Sequence, residues 1–214
     1  MTGDKAAALA AFCAREGRAM LLFDYAGHGQ SGGRFDNGTI SAWKSDALAV
    51  IDGLTKGPLL LVGSSMGGWI GILVAMARPE RVAGFIGIAA APDFTEAMMW
   101  EAMTFEERAT LIERGVLEQP SDYGDPYAIT RALIEDGRTQ LVLGGPIPIT
   151  APVRLLHGQS DRDVPWEFSL RLAERVVSTD VQVVLVKDGE HRMSRPQDLD
   201  LLRATALSLL KDRA

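Results

Sequence analysis

Apolar residues fall into two textures along this chain, short unbroken runs and stretches at helical spacing, and they alternate. Ala19-Met20-Leu21-Leu22-Phe23-Asp24-Tyr25, Pro58 to Val62, Val82 to Ala90, Pro152 to His157 and Val181 to Val186 are the runs. Near-continuous hydrophobicity over five to nine residues predicts strands covered on both faces, as in a parallel sheet. Between them, Ile40, Trp43, Ala47, Val50, Ile51 and Leu54 recur at helical spacing, as do Leu199, Leu202, Ala206 and Leu209 after Pro196. Further helices are predicted from Asp4, read as an N-cap, to Glu16, over Ile70 to Ala77, and from Trp166 to Val177. Strand–helix alternation of this kind predicts an α/β fold with a mostly parallel sheet, whose ligands sit at the carboxyl ends of the strands.

One segment breaks the alternation. Asp93 to Ile149 reads as helical around Glu96–Arg114 and Pro126–Asp136, with Gly- and Pro-containing turns and no clear strand. The expected organisation is therefore a core in two parts, residues 1–92 and 151–214, with a helical lid inserted at 93–150. The lid is apolar at Met98, Met99, Trp100 and Met103. Those residues suit the wall of an acyl-chain pocket, because flexible Met side chains adapt to variable chains, but packing of the lid onto the sheet is the preferred reading for most of them.

The run ending at Val62 leads into Gly63-Ser64-Ser65-Met66-Gly67-Gly68-Trp69 and then a helical stretch. A strand turning sharply into a helix holds the central serine in a strained elbow, and small neighbours such as Gly63 and Gly67 permit the turn. Ser65 is thus a candidate nucleophile, and the Met66 N–H, at a helix N-terminus, a candidate oxyanion donor. Of the three histidines, His28 lies in a Gly-rich turn and His157 ends a strand and reads as packing. His191, on the polar loop after the last strand, is the candidate base. Between Ser65 and His191, the loop after His157 offers Asp161 and Asp163, which spacing alone does not separate. The order Ser, Asp, His matches a hydrolase triad in which the carboxylate orients the imidazole that activates the serine.

Composition narrows the rest. The 214 residues carry a net charge of −6 with no Lys/Arg block, which argues against nucleic acid. Cys13 is the only cysteine, so no internal disulfide or Cys-based metal site is expected, and a reducing, cytoplasmic setting fits. Cys13 itself reads as a buried helix residue. No segment approaches the roughly 20 apolar residues of a membrane span, and the start reads as a helix rather than a signal peptide. Neither a cofactor nor a metal is expected, and oligomeric state is left open.

The stretches Asp24-Tyr25-Ala26-Gly27-His28-Gly29-Gln30-Ser31, Val62 to Trp69 and His157-Gly158-Gln159-Ser160-Asp161-Arg162-Asp163-Val164-Pro165 resemble the landmarks of the α/β-hydrolase superfamily. Gly32-Gly33-Arg34-Phe35, Ala77 to Val82 and Ala91-Pro92-Asp93-Phe94-Thr95 are similar to the branch of the mitochondrial palmitoyl-protein thioesterases, also described as acyl-glucuronide esterases, and their bacterial relatives. The resemblance implies a serine hydrolase acting on small-molecule or acyl-protein esters or thioesters, with Ser65, Asp161 (rather than Asp163) and His191 as the triad. Another hydrolase activity on this scaffold, such as a peptidase or lactonase, is compatible with the same residues. The resemblance also implies strands before the first helix, one of them between Tyr25 and Pro58–Val62, and a second oxyanion donor preceding that helix. On this expectation Met1 is internal to a longer reading frame, and a non-catalytic fragment is a further reading.

Overall fold

The computed structural model describes residues 3–121 and 124–211. Met1, on which the internal-methionine expectation falls, lies outside the described residues. Four strands form a parallel sheet in the order β1-β2-β5-β6: β1 (Leu59–Ser64), β2 (Val82–Ile88), β5 (Val153–Gly158) and β6 (Val181–Val186). Alternate side chains of each strand point to opposite faces. On one face, Phe85 and Leu155 pack with α2 (Ile40–Leu54), α3 (Met66–Ala77) and α6 (Glu167–Arg175), around the buried indoles of Trp43 and Trp69. On the other, Ile86, Ile88 and Leu156 pack against Leu9 and Phe12 of α1 (Asp4–Arg15) and Leu202, Ala206 and Leu209 of α7 (Pro196–Lys211).

The expected first strand is absent. Ala19–Tyr25 runs past the sheet without joining it. Between this run and β1 lies a cavity of about 770 Å³, lined by Met20, Leu22, Leu60 and Val62 along its sides and by Leu9 and Leu210 beneath. Apolar composition suits a strand, but a strand exists only where a neighbour satisfies its backbone groups, and among the described residues no strand lies between Ala19–Tyr25 and β1. In consequence Val62, in the middle of β1, is 39% exposed.

Between β2 and β5 the chain departs from the all-helical expectation. A π-helical turn (Thr95–Trp100) and α4 (Phe105–Arg114) replace one continuous helix, because Thr104 and Glu107 form a capping box that starts α4 afresh. Val116–Ser121 and Gly124–Thr130 then pair antiparallel as β3 and β4. The expected helix at Pro126 begins only at Arg131, where Thr130 caps α5 (Arg131–Arg138) by accepting from the Leu133 N–H. Polar bonds close the two ends of the segment on each other and tie it to α2 of the core. Asp93 accepts from the Val142 and Leu143 N–H groups at 2.8 and 2.9 Å, and Asp136 from the Ser41 N–H at 2.8 Å.

Two smaller readings also change. Asp4 is the first residue of α1, with Gly3 at the cap position, and Cys13 is half-buried rather than buried. Among the described residues no helix is long and apolar enough to cross a membrane.

Candidate active site

Ser65 follows the last residue of β1 with φ 53°, ψ −122°, a conformation costing a non-glycine residue about 1–3 kcal/mol. Three backbone bonds hold it there: the Ser65 N–H donates to the Ile88 carbonyl, and the Ser65 carbonyl accepts from Gly68 and Ala91. The turn is possible because β1 and the first turn of α3 nearly touch. A Cβ on Gly63 would lie 2.2 Å from the Gly67 carbonyl oxygen, and one on Gly68 would lie 2.5 Å from Ala90 Cβ. Gly67 has nothing within 4 Å of such an atom. The close approach therefore needs Gly63 and Gly68, and the expectation that Gly67 permits the turn is corrected. Met66 opens α3, which leaves its N–H without an intrahelical acceptor.

The same sheet edge carries the other candidates. Ala89, just beyond β2, donates its N–H to the Leu156 carbonyl; Gln159, beyond β5, donates to Val186, and Ser160 to Gly189. This series of bonds fixes the loops after β1, β2, β5 and β6 relative to one another. Positive φ values at Ser65, Ala89, Asp93 and Met193 all fall on loops leaving the carboxyl ends of β1, β2 and β6. The edge is thus where this backbone stores strain, as functional sites commonly do.

His191, beyond β6, and Asp161, beyond β5, meet there. His191 Nδ1 lies 2.8 Å from Asp161 Oδ2. The carboxylate is buried while the imidazole keeps 21% of its surface exposed. Asp161 Oδ1 accepts from the Asp163 and Val164 N–H groups, each at 2.9 Å, so the acid shapes its own loop. Asp163 is exposed. Burial alone would raise the Asp161 carboxyl, but hydrogen bonds from His157, His191 and the Val164 backbone outweigh it and hold the group well below the usual carboxylate range. The Ser65 hydroxyl and His191 Nε2 make no hydrogen bond to another described residue. Hydrogen bonds between nucleophile and base are often long before substrate arrives.

The ligand atoms of Asp161, Asp163 and His191 lie within 4.8 Å of one another. Two of the three residues are already engaged with each other, however, since Asp161 accepts at both oxygens and His191 Nδ1 faces Asp161.

The sequence reading missed one residue of this cluster. His157 is fully buried, as a packing residue would be, yet its Nε2 lies 3.2 Å from Asp161 Oδ2. Its spacing of four residues from Asp161 was the available signal. His28 stays in its turn, with Nδ1 3.2 Å from the Ala26 carbonyl and its ring against Phe35 and Trp43. In the inserted segment, Met103 is buried with Leu111, Ile129 and Ile134, with Met99 and Trp100 packed alongside. The Arg108 and Arg138 guanidiniums both lie over the Trp100 ring, at 5.1 and 4.5 Å. Met98 packs, half-buried, against the main core.

Residues 2–125 match the family described as serine aminopeptidase, S33. Human mitochondrial palmitoyl-protein thioesterase ABHD10 is 41% identical over 212 residues, which span 98% of this chain and 69% of its own. The solved mouse α/β hydrolase domain-containing protein 10 superposes with a TM-score of 0.92 at 40% identity, covering all of this chain and 86% of that one. A candidate hydrolase of Agrobacterium vitis S4 gives a TM-score of 0.94 at 44% identity, over 98% of this chain and 83% of that one.

Proposed function

This chain belongs to the α/β-hydrolases of the serine aminopeptidase S33 family, and from that premise we propose that it cleaves acyl thioesters or esters through an acyl-enzyme on Ser65. It is a serine hydrolase of the ABHD10 type. In the proposed reaction the Ser65 hydroxyl attacks the carbonyl carbon while His191 Nε2 takes its proton. Asp161 receives the His191 Nδ1–H, which fixes the tautomer with its lone pair on Nε2 and stabilises the imidazolium that forms. The Met66 N–H donates to the developing oxyanion. Collapse of the tetrahedral species breaks the bond to sulfur or oxygen, and His191 returns the proton to the leaving group. Water, activated by the same imidazole, then releases the acid and regenerates Ser65.

The observation that carries this reading is the 2.8 Å bond between His191 and a buried, anionic Asp161, at the sheet edge from which the Ser65 elbow rises. The acyl class rests on relatives described as palmitoyl-protein thioesterases.

Hydrolysis of p-nitrophenyl esters of increasing acyl length and of a palmitoyl thioester, by this chain and its Ser65→Ala variant, tests it. We expect turnover that rises beyond acetyl and disappears with Ser65. Turnover that survives Ser65→Ala refutes the nucleophile, and a flat or acetyl-favouring profile refutes the acyl assignment. The family's description favours one alternative, removal of an N-terminal amino acid, and aminoacyl p-nitroanilides in the same panel separate the two.

A further inference from the structure

His157, next to last in β5, is completely buried and so is Ser169 on α6, 1% exposed. Three groups surround the ring. Its Nε2 lies 3.0 Å from the Val164 carbonyl and 3.2 Å from Asp161 Oδ2, and its Nδ1 lies 2.7 Å from Ser169 Oγ. A carbonyl oxygen only accepts, so Nε2 must carry the proton, shared between Val164 and Asp161. Nδ1 of the neutral ring is then a lone pair, and the Ser169 hydroxyl donates to it. Donors thus run in one direction, from Ser169 to His157 to Asp161. The three residue types repeat those of a triad, but no substrate reaches a serine buried to this degree. Every polar atom of the ring is already used.

The carboxylate they reach is the one that faces His191. Asp161 Oδ2 receives two imidazole donors, one from each side, and Oδ1 receives the two N–H groups of its own loop. The ionisable groups around it are His157 from β5, His191 from the loop beyond β6 and Asp163 from its own loop.

We propose that His157 is a positioning residue for hydrolysis: its Nε2–H, locked by Ser169 and Val164, fixes the Asp161 carboxylate and takes up part of the charge that Asp161 presents to His191. The proposal rests on the assignment of Asp161 and His191 as acid and base. A residue that only packed would need neither a set tautomer nor a shared carboxylate oxygen. Two consequences follow. Without the second donor, Oδ2 carries more charge toward His191, which favours the imidazolium and moves the acid limb of kcat/KM to higher pH. The carboxylate also gains freedom to rotate, which lowers kcat with little effect on KM.

The test compares the full chain with His157→Leu, His157→Gln and Ser169→Ala. The readouts are kcat and KM across pH, and the downfield proton resonance of the His191–Asp161 bond. Leucine removes the donor, whereas glutamine places an amide N–H near the position of Nε2. His157→Leu is expected to lower kcat about 10–100-fold, leave KM nearly unchanged and displace the acid limb upward. His157→Gln is expected to restore both toward the parent. Equal loss in the Leu and Gln variants with an unmoved limb overturns the proposal. Should His157→Leu fail to fold, Ser169→Ala decides, since a displaced limb supports the relay and a parental limb overturns it. If Ser65-dependent turnover is itself missing, the resonance in folded Ser65→Ala protein remains. Its movement on replacing His157 with Gln or removing the Ser169 hydroxyl supports the proposal, and its constancy overturns it.

Discussion

Replacing Gly63 by alanine probes how the elbow is built. The new Cβ would lie 2.2 Å from the Gly67 carbonyl oxygen, 2.5 Å from the Gly67 carbonyl carbon and 2.7 Å from the Gly68 nitrogen, where ordinary contact begins at 3.4 Å. All three atoms are backbone, so no rotamer change relieves the overlap. Instead the first turn of α3 must move from β1 by more than an ångström, carrying Ser65 and the Met66 N–H with it. Overpacking of this kind costs about 1–3 kcal/mol, and misplacing reacting groups by about 1 Å costs about 10²-fold in rate. Gly67→Ala is the matched control, because nothing lies within 4 Å of its Cβ and the position is helical. There the substitution should leave stability unchanged or raise it by up to about 1 kcal/mol. The assays are thermal unfolding of both variants and kcat/KM of Gly63→Ala on a p-nitrophenyl ester. Equal destabilisation by the two substitutions, or full activity in Gly63→Ala, refutes the account of the close approach.

Two further substitutions test the site and the inserted segment. Asp161→Asn should lower kcat about 10⁴-fold through loss of tautomer control. It should also change the pH dependence of stability. The Asp161 carboxyl titrates near 3.9 when unfolded and lower when folded, so its stabilisation is fully present above that value and is lost as pH falls from there through the lower folded value. The difference in urea midpoint between parent and variant should therefore shrink between about pH 6 and pH 3, and a constant difference refutes it. Asp93→Ala strands the buried Val142 and Leu143 N–H groups; stability should fall by about 1–3 kcal/mol and limited proteolysis within 93–150 should accelerate, whereas an unchanged cleavage rate counts against that anchor.

The strands of the four-stranded sheet were legible because burial on both faces leaves an unbroken apolar run, and β6 falls on Val181–Val186 as read. Ala19–Tyr25 has the same composition and no ladder, because pairing depends on what lies beside a run and composition does not report it. The β3–β4 hairpin was hidden for a related reason. Its register sets Leu117 opposite Ile129, a pairing between residues twelve apart that helical periodicity does not detect. At the site, chain order pointed to His191, and nothing in spacing divided Asp161 from Asp163. The distinction lies in direction, since Asp161 turns inward to two imidazoles while Asp163 stays exposed. His157 escaped because a buried polar ring and a buried apolar one look alike in sequence, and only its partners tell them apart.

The cavity beside β1 divides the molecule by cooperativity. Residues 3–23 hold to the rest through Leu9 and Phe12, through Phe23 against the main core and through a bond from Lys5 Nζ to the Arg192 carbonyl, and no sheet ladder joins Met20–Phe23 to the strands. Segments with few buried contacts and no ladder open at a lower free energy than the sheet they lean on. Amide exchange should therefore run faster through this N-terminal unit than through β2 and β5, which are paired on both sides. Ser65, Asp161 and His191 all lie outside the unit, on loops bonded to one another across the sheet. Transient detachment of the first helix thus breaks one bond to the loop of His191, from Lys5 Nζ to the Arg192 carbonyl, and leaves Ser65 and Asp161 to the part of the chain that opens last.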